Sequence, residues 1–220
     1  MPRKKIELFP HKVVRLTNVV SEVFTLSMER KFDFVPGQVV ALAINNEHDP
    51  RLYSIASGTG EDVLTILFDI IDGGFLTPQL VQLKPGDEVY ISEPFGKFIP
   101  GDEDMWWLAT GTGIAPFISM VKSGIKLPEK LIHGSRTLDH FLFQELFHDK
   151  LGEKYLRFCT AEESPEVYSG RMTEWLKEQS GLPKEIKYYL CGNPNMVVEV
   201  RDLILSKGVD FNNIMAEIYF

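Results

Sequence analysis

The residues with the most chemistry in the shortest span are Arg51-Leu52-Tyr53-Ser54-Ile55-Ala56-Ser57. A cation, an aromatic ring and a hydroxyl fall within four positions. That set can hold a phosphate, a flat ring and a polar ring edge together. The same residues also suit an ordinary strand, since tyrosine is common in strands. As a strand, Leu52, Ser54 and Ala56 face one way and Tyr53, Ile55 and Ser57 the other. A second stretch, Asp72-Gly73-Gly74-Phe75-Leu76-Thr77, pairs glycines with a hydroxyl just ahead of a helical pattern. Glycines let backbone N–H groups approach an anion, and a helix start adds positive potential. A plain hairpin turn is the alternative reading.

The most specific stretch is Leu108-Ala109-Thr110-Gly111-Thr112-Gly113-Ile114-Ala115-Pro116, a strand running into a glycine turn that opens a helix. Gly111 and Gly113 supply two glycines of a dinucleotide fingerprint, and Pro116 stands in place of the third, where a helix start favours it. A tight strand-to-helix turn needs no ligand, but this setting is the one a pyrophosphate site requires. No Gly-Lys-Ser/Thr follows, which excludes a P-loop. Arg136 and Arg171 fall at or just past the carboxyl ends of expected strands, where open α/β sheets bind ligands. Each alone reads as a surface charge; two at one edge could clamp a phosphate bidentately. Leu190-Cys191-Gly192-Asn193-Pro194 is another strand–turn–helix, its thiol either buried packing or set beside a substrate ring. The chain closes on Ala216-Glu217-Ile218-Tyr219-Phe220, two aromatics after a carboxylate, a face on which a flavin or adenine could stack.

Positioning these residues requires two kinds of element. Up to Lys97, alternating apolar runs at Val13–Val20, Val23–Glu29, Gln38–Ala43, Leu52–Ser57, Val63–Ile70 and Glu88–Ser92 predict six strands, broken by turn residues such as Lys84-Pro85-Gly86-Asp87. Six short strands in this length predict a closed antiparallel β-barrel, with one helix near Leu76–Leu83. From Asp104 short apolar strands (Met105–Ala109, Lys130–His133, Leu156–Thr160, Ile186–Cys191, Ile214–Tyr219) alternate with helical patterns at Pro116–Ser123, Leu138–Asp149, Met172–Gln179 and Pro194–Lys207. That alternation predicts a parallel sheet with helices on both faces. The expected fold is therefore two-domain, an antiparallel β-barrel in 1–99 and an α/β parallel-sheet domain in 100–220, joined near Phe98–Asp102.

Composition narrows the function. Net charge is −8, with 10 basic against 13 acidic residues up to position 98 and 13 against 18 beyond it. Neither half reads as a nucleic-acid binder. The two cysteines, Cys159 and Cys191, are too few for an Fe–S cluster on four thiolates, and the five histidines show no metal-ligand spacing. No apolar run reaches the length of a membrane span, so no membrane insertion is expected. Met1-Pro2-Arg3-Lys4-Lys5 leads into Ile6-Glu7-Leu8-Phe9-Pro10, unlike the apolar region of a signal peptide, and the expected location is the cytoplasm.

Taken together the motifs resemble the ferredoxin–NADP(+) reductase superfamily, in its bacterial ferredoxin/flavodoxin reductase type, over nearly the whole chain. Arg51–Ser54 matches the family's Arg-x-Tyr-Ser flavin motif, and Gly74–Thr77 its Gly-x-x-Ser/Thr pyrophosphate motif. Gly111–Pro116 matches its Gly-Thr-Gly-x-x-Pro nucleotide loop, Cys191–Pro194 its Cys-Gly-x-Pro motif, and Ala216–Phe220 its short aromatic tail. The resemblance implies FAD held by Arg51, Leu52, Tyr53, Ser54, Gly73, Gly74, Thr77, Tyr219 and Phe220. It implies NADP(H), with NAD(H) possible, held by Thr110, Gly111, Thr112, Gly113, Arg136, Arg171, Cys191 and Gly192. Tyr53 would stack on one flavin face, Tyr219 and Phe220 would cover the other face and extend to the adenine, and Ser54, Cys191 and Glu217 would surround the hydride-transfer site. One departure stands out: Thr160-Ala161-Glu162-Glu163 replaces the Ser/Thr-Arg-Glu common in NADPH-specific members, losing one phosphate-binding arginine. The implied partner is a ferredoxin or flavodoxin, with no oligomeric state implied. The alternatives are an NADH-dependent reductase serving an oxygenase or free flavin, and an electron-transfer subunit of a larger complex.

Overall fold

Period-two alternation of apolar residues builds the first half. In the computed structural model, which describes residues 6–45 and 48–218, six strands form one antiparallel sheet. They are β1 (Phe9–Val20), β2 (Val23–Glu29), β3 (Val39–Ala43), β4 (Arg51–Ser54), β5 (Val63–Asp69) and β6 (Glu88–Ile91), in the order β4-β3-β6-β1-β2-β5. Alternate residues point inward: Leu26 and Met28, Val40 and Leu42, Leu64, Ile66 and Phe68, Val89 and Ile91 share one buried core. The sheet curls until its ends meet. Ile55 bridges Ile66, and the Ala56 N–H donates to the Thr65 carbonyl at 2.8 Å. The expected strand Leu52–Ser57 thus stops at Ser54. Ile55, Ala56 and Ser57 are all buried, because the chain leaves its ladder with β3 to close the barrel. The helix expected at Leu76–Leu83 is a single turn, α1 (Thr77–Leu80), started by Pro78.

In the second half six parallel strands, β7 (Met105–Thr110), β8 (Lys130–Ser135), β9 (Tyr155–Cys159), β10 (Tyr168–Ser169), β11 (Lys187–Gly192) and β12 (Ile214–Ile218), lie in the order β10-β9-β8-β7-β11-β12. They alternate with α2 (Ala115–Lys122), α3 (Gln144–Leu151), α4 (Met172–Glu178) and α5 (Pro194–Ser206). Met105–Ala109 is buried throughout, the continuous apolar run of a strand covered on both faces. On one face Trp106, Leu108, Ile132 and Tyr188 meet Met172 and Leu176 of α4 and Val197, Val200 and Ile204 of α5. The pattern expected to give one helix over Leu138–Asp149 is broken. A 3-10 turn (Leu138–His140) precedes α3, and Phe143 between them takes a left-handed φ of 57° while Phe141 and Leu142 insert into the core. The two-residue β10 is too short to show in any sequence pattern.

The chain divides into two compact units, residues up to Ile99 with Ala115–Ser123, and Pro100–Ile114 with Gly124 onward. Helix α2 groups with the barrel. Ser119 Oγ donates to the Ser57 carbonyl at 2.7 Å, Ser123 Oγ accepts from the Thr59 N–H at 2.9 Å, and Lys122 pairs with Glu61 at 3.0 Å.

Candidate active site

In the barrel unit β4 carries the Arg-Leu-Tyr-Ser set against β3, with Arg51 beside Leu42, Leu52 beside Ala41, Tyr53 beside Val40 and Ser54 beside Val39. The four residues divide by exposure. Arg51 and Leu52 are exposed, Tyr53 is partly buried and Ser54 fully so. Tyr53 stands edge-on to Phe68, ring centroids 6.4 Å apart. Burial pushes its hydroxyl up to about 12, against the opposing charge of Arg51, so the ring is a neutral phenol at any physiological pH. A neutral, partly exposed ring suits stacking on a flat heterocycle.

The glycine turn is open where a ligand needs room. Gly73 has φ +69°, and a side chain there would meet nothing within 4 Å. Gly74 is needed for the turn itself: a Cβ there would strike the Ile71 carbonyl oxygen at 2.8 Å, and its N–H already donates to that oxygen. Thr77 Oγ1 accepts from the Ile71 N–H at 2.8 Å, which leaves its own hydroxyl hydrogen to give. With α1 only one turn long, the potential expected from a helix start is small. Two rings that sequence reasoning missed, His48 and Phe75, stack at 4.1 Å. They draw the segment ahead of Arg51 onto the segment carrying Gly73 and Gly74. The signal available in sequence was a phenylalanine directly after paired glycines.

In the second unit strand order reverses about β7. The chain moves from β7 to β8 and β9, then returns to β11 on the other side. The crevice at the carboxyl ends of β7 and β11 is the switch point where such sheets bind ligands. Both glycine loops lie there. Gly111 has φ +55° and open space around it. Gly113 packs against Gly192 so closely that a Cβ would collide with the Cys191 and Gly192 backbone. A Cβ on Gly192, at φ +129°, would lie 2.5 Å from the Thr110 carbonyl oxygen. The Thr110 hydroxyl accepts from the Asn193 N–H at 3.1 Å, and Asn193 Oδ1 caps α5 by accepting from Asn195 and Met196. Thr112 lies within the same turn. Cys191 is fully buried and sits in register with Glu217 of β12, which is partly exposed. Thr110–Gly113, Cys191, Gly192 and Glu217 are therefore brought to one end of three adjacent strands.

Register also gathers the two arginines. Ser135 pairs with Cys159, and Cys159 with Ser169, so Arg136 and Arg171 leave the same edge of the sheet. The Arg136 carbonyl is fixed by the Ala161 N–H at 2.9 Å and the Cys159 thiol at 3.2 Å, while its side chain is exposed. Arg171 is engaged: it pairs with Glu199 at 2.7 Å, and Glu199 also meets Lys177 at 3.4 Å. Glu162, in the departure from the family pattern, accepts from the Leu138 N–H at 2.7 Å. Glu199 was not assigned to this edge from sequence, where it reads as a solvent-facing helix residue. Tyr219 and Phe220 lie outside the described residues. Ser54 belongs to the barrel unit and Cys191 and Glu217 to the other. Among the described residues no group of histidine, cysteine or carboxylate side chains could hold a metal, and no helix is long and apolar enough to cross a membrane.

Residues 11–99 match the oxidoreductase FAD-binding domain family and residues 107–202 the oxidoreductase NAD-binding domain family. A flavodoxin/ferredoxin–NADP reductase of Escherichia coli (strain K12) is 34% identical, covering 84% of this chain and 85% of the relative. The chain belongs to the ferredoxin–NADP reductase family. A toluate 1,2-dioxygenase electron transfer component of Pseudomonas putida is 31% identical over 84% of this chain, which spans 58% of that relative. In fold, the chain resembles a ferredoxin NADP+ reductase from Neisseria gonorrhoeae with bound FAD and NADP, at TM-score 0.86 and 23% identity, over 98% of this chain and 100% of that one. It is thus an FAD- and NAD(P)-binding oxidoreductase. Its residues fit that cofactor: an open glycine turn and an exposed arginine for phosphate, a neutral half-buried ring for stacking, and a buried hydroxyl beside it.

Proposed function

We propose that this reductase exchanges a hydride with NADP(H) and single electrons with a small carrier protein, a ferredoxin or flavodoxin. What supports the reading most is the register that sends Arg136 and Arg171 from one sheet edge, a pair suited to a 2′-phosphate. The chemistry that bound FAD supplies is hydride acceptance followed by release of electrons one at a time. The chain's residues do the rest. Arg51, Gly73, Gly74 and Thr77 would hold the flavin's pyrophosphate, Leu52 and Tyr53 would lie against its ring, and Ser54 would offer its hydroxyl to the ring's polar edge. Thr110–Gly113 and Gly192 cradle the nucleotide pyrophosphate. Cys191 would shape the nicotinamide pocket without acting as a nucleophile, and Glu217 would supply a carboxylate beside it.

A second reading, an NADH-dependent reductase for an oxygenase, is favoured by one observation. The same edge carries Glu199 on Arg171 and Glu162 on the Leu138 N–H, with Ala161 where an arginine would add charge. Anaerobic stopped-flow reduction with NADPH and NADH in parallel separates the two. Faster reduction by NADPH is the expected outcome; faster reduction by NADH would replace the first reading with the second. A reductase that turned over either nucleotide but reduced no ferredoxin or flavodoxin would sink the carrier assignment.

A further inference from the structure

Phe75 is 53% exposed and His48 is exposed beside it, yet the two rings are ordered against each other, centroids 4.1 Å apart and planes 26° from parallel. His48 Nδ1–H donates to Asn45 Oδ1 at 2.6 Å, which fixes the imidazole plane. One face of each ring is spent on the other ring, and the outer faces are left to solvent or to a third ring. What flanks the stack gives that third ring an identity. Phe75 directly follows Gly74 and lies two residues past Gly73, whose surroundings are open. His48 lies three residues ahead of Arg51. The stack therefore adjoins, along both segments, the groups suited to a diphosphate.

In FAD the diphosphate is followed by one ribose and then by adenine, a flat purine that stacks on any aromatic face. We propose that His48 and Phe75 form the adenine platform of the bound FAD. This rests on the reading of Arg51, Gly73 and Gly74 as the diphosphate site. It makes the aromatic pair the element that lets the chain choose FAD over FMN, which has the same ring and one phosphate but no adenylate.

Binding of the two flavins to the full-length, deflavinated chain tests this, followed by flavin fluorescence. The wild type is expected to bind FAD more tightly than FMN. Phe75→Ala with His48→Ala is expected to weaken FAD about tenfold or more, the size of one lost base–aromatic stack, and to leave FMN unchanged. Unchanged FMN binding also shows that the variant is folded. Phe75→Trp is expected to keep FAD affinity, because the larger ring preserves the platform. An equal loss for both flavins would mean that the stack only clips two loops together, and would overturn the proposal. So would a wild type without preference, or a preference lost on removing Tyr219 and Phe220 and kept in the double variant. A wild type that binds neither flavin would overturn the diphosphate reading itself.

Discussion

At the residue scale the nucleotide edge is a contest between charges. Arg171 is already paired with Glu199, so on the proposed reading a 2′-phosphate would displace a carboxylate and then lie near it. Both partners are solvated, Glu199 at 31% and Arg171 at 53% side-chain exposure, so the pair is worth only about 0.2–1 kcal/mol. Glu199→Gln should therefore raise kcat/KM for NADPH by up to about fivefold and leave that for NADH unchanged. Arg171→Ala should lower the NADPH value about tenfold or more, the cost of a lost charged hydrogen bond, again sparing NADH. Parallel initial-rate series with both nucleotides check both variants. Both arginines were visible in the sequence as cations after apolar strands. Their shared edge was not, because it depends on the two-residue β10 and on cross-strand register. Glu199 was hidden by its setting, one more charge on a helix whose other face is core.

At the scale of elements, two features carry measurable consequences. The glycine loops after β7 and β11 are in backbone contact, so Gly192→Ala adds a Cβ that meets the Thr110 carbonyl in a conformation L residues avoid. It should destabilise the chain by about 3 kcal/mol in urea denaturation and weaken nucleotide binding at the same time. On β8, His133 is fully buried, with Nδ1 hydrogen-bonded to the Tyr155 hydroxyl at 2.9 Å. Burial, helped by the charge of Arg157, holds its imidazole down to about 3. Between about 6.5 and 3 the unfolded chain binds a proton that the folded chain refuses. The stability present above 6.5 is therefore lost as pH falls, by about 1.4 kcal/mol per pH unit. From pH 7 to 5 this residue alone should cost about 2 kcal/mol. His133→Gln should flatten the urea-measured slope by that amount, leaving a residual slope from His11, which burial also lowers. Elements built on simple periods, such as Leu64, Ile66 and Phe68, were legible from the sequence. The break between Leu138 and α3 was not, since Phe141 and Leu142 satisfy a helical spacing while packing inward from a non-helical backbone.

For the whole molecule, charge is the property that bears on partners. A net −8 opposes an acidic carrier at long range, so docking needs a local basic surface. Basic residues that could supply one are Arg3, Lys4, Lys5, Arg15 and Lys97; the first three lie outside the described residues, and Arg15 and Lys97 are exposed. Arg15→Glu with Lys97→Glu should slow carrier reduction several-fold at low ionic strength and weaken its salt dependence, while reduction by NADPH alone stays unchanged. Carrier rates across a salt series measure this directly. The order of two architectures along the chain was legible because a change of period, from two-residue alternation to strand–helix alternation, is written over dozens of residues. The stacking of His48 on Phe75 was not, since two loop residues 27 positions apart leave no periodic trace.

The contact between Gly113 and Gly192 also bears on how such a protein can diverge. Where these two loops meet, Gly113 packs on the backbone of Cys191 and Gly192, with no side chain of either glycine to exchange. Substitution there is blocked, so that part of the surface is fixed as long as the fold persists. Novelty should then be confined to the rim, where the side chains of Arg136, Glu162, Arg171 and Glu199 are expected to tolerate replacement without disturbing that contact. A lineage could thus change which nucleotide it accepts through a few rim mutations, and a deep mutational scan should show a tolerant rim around two intolerant glycines.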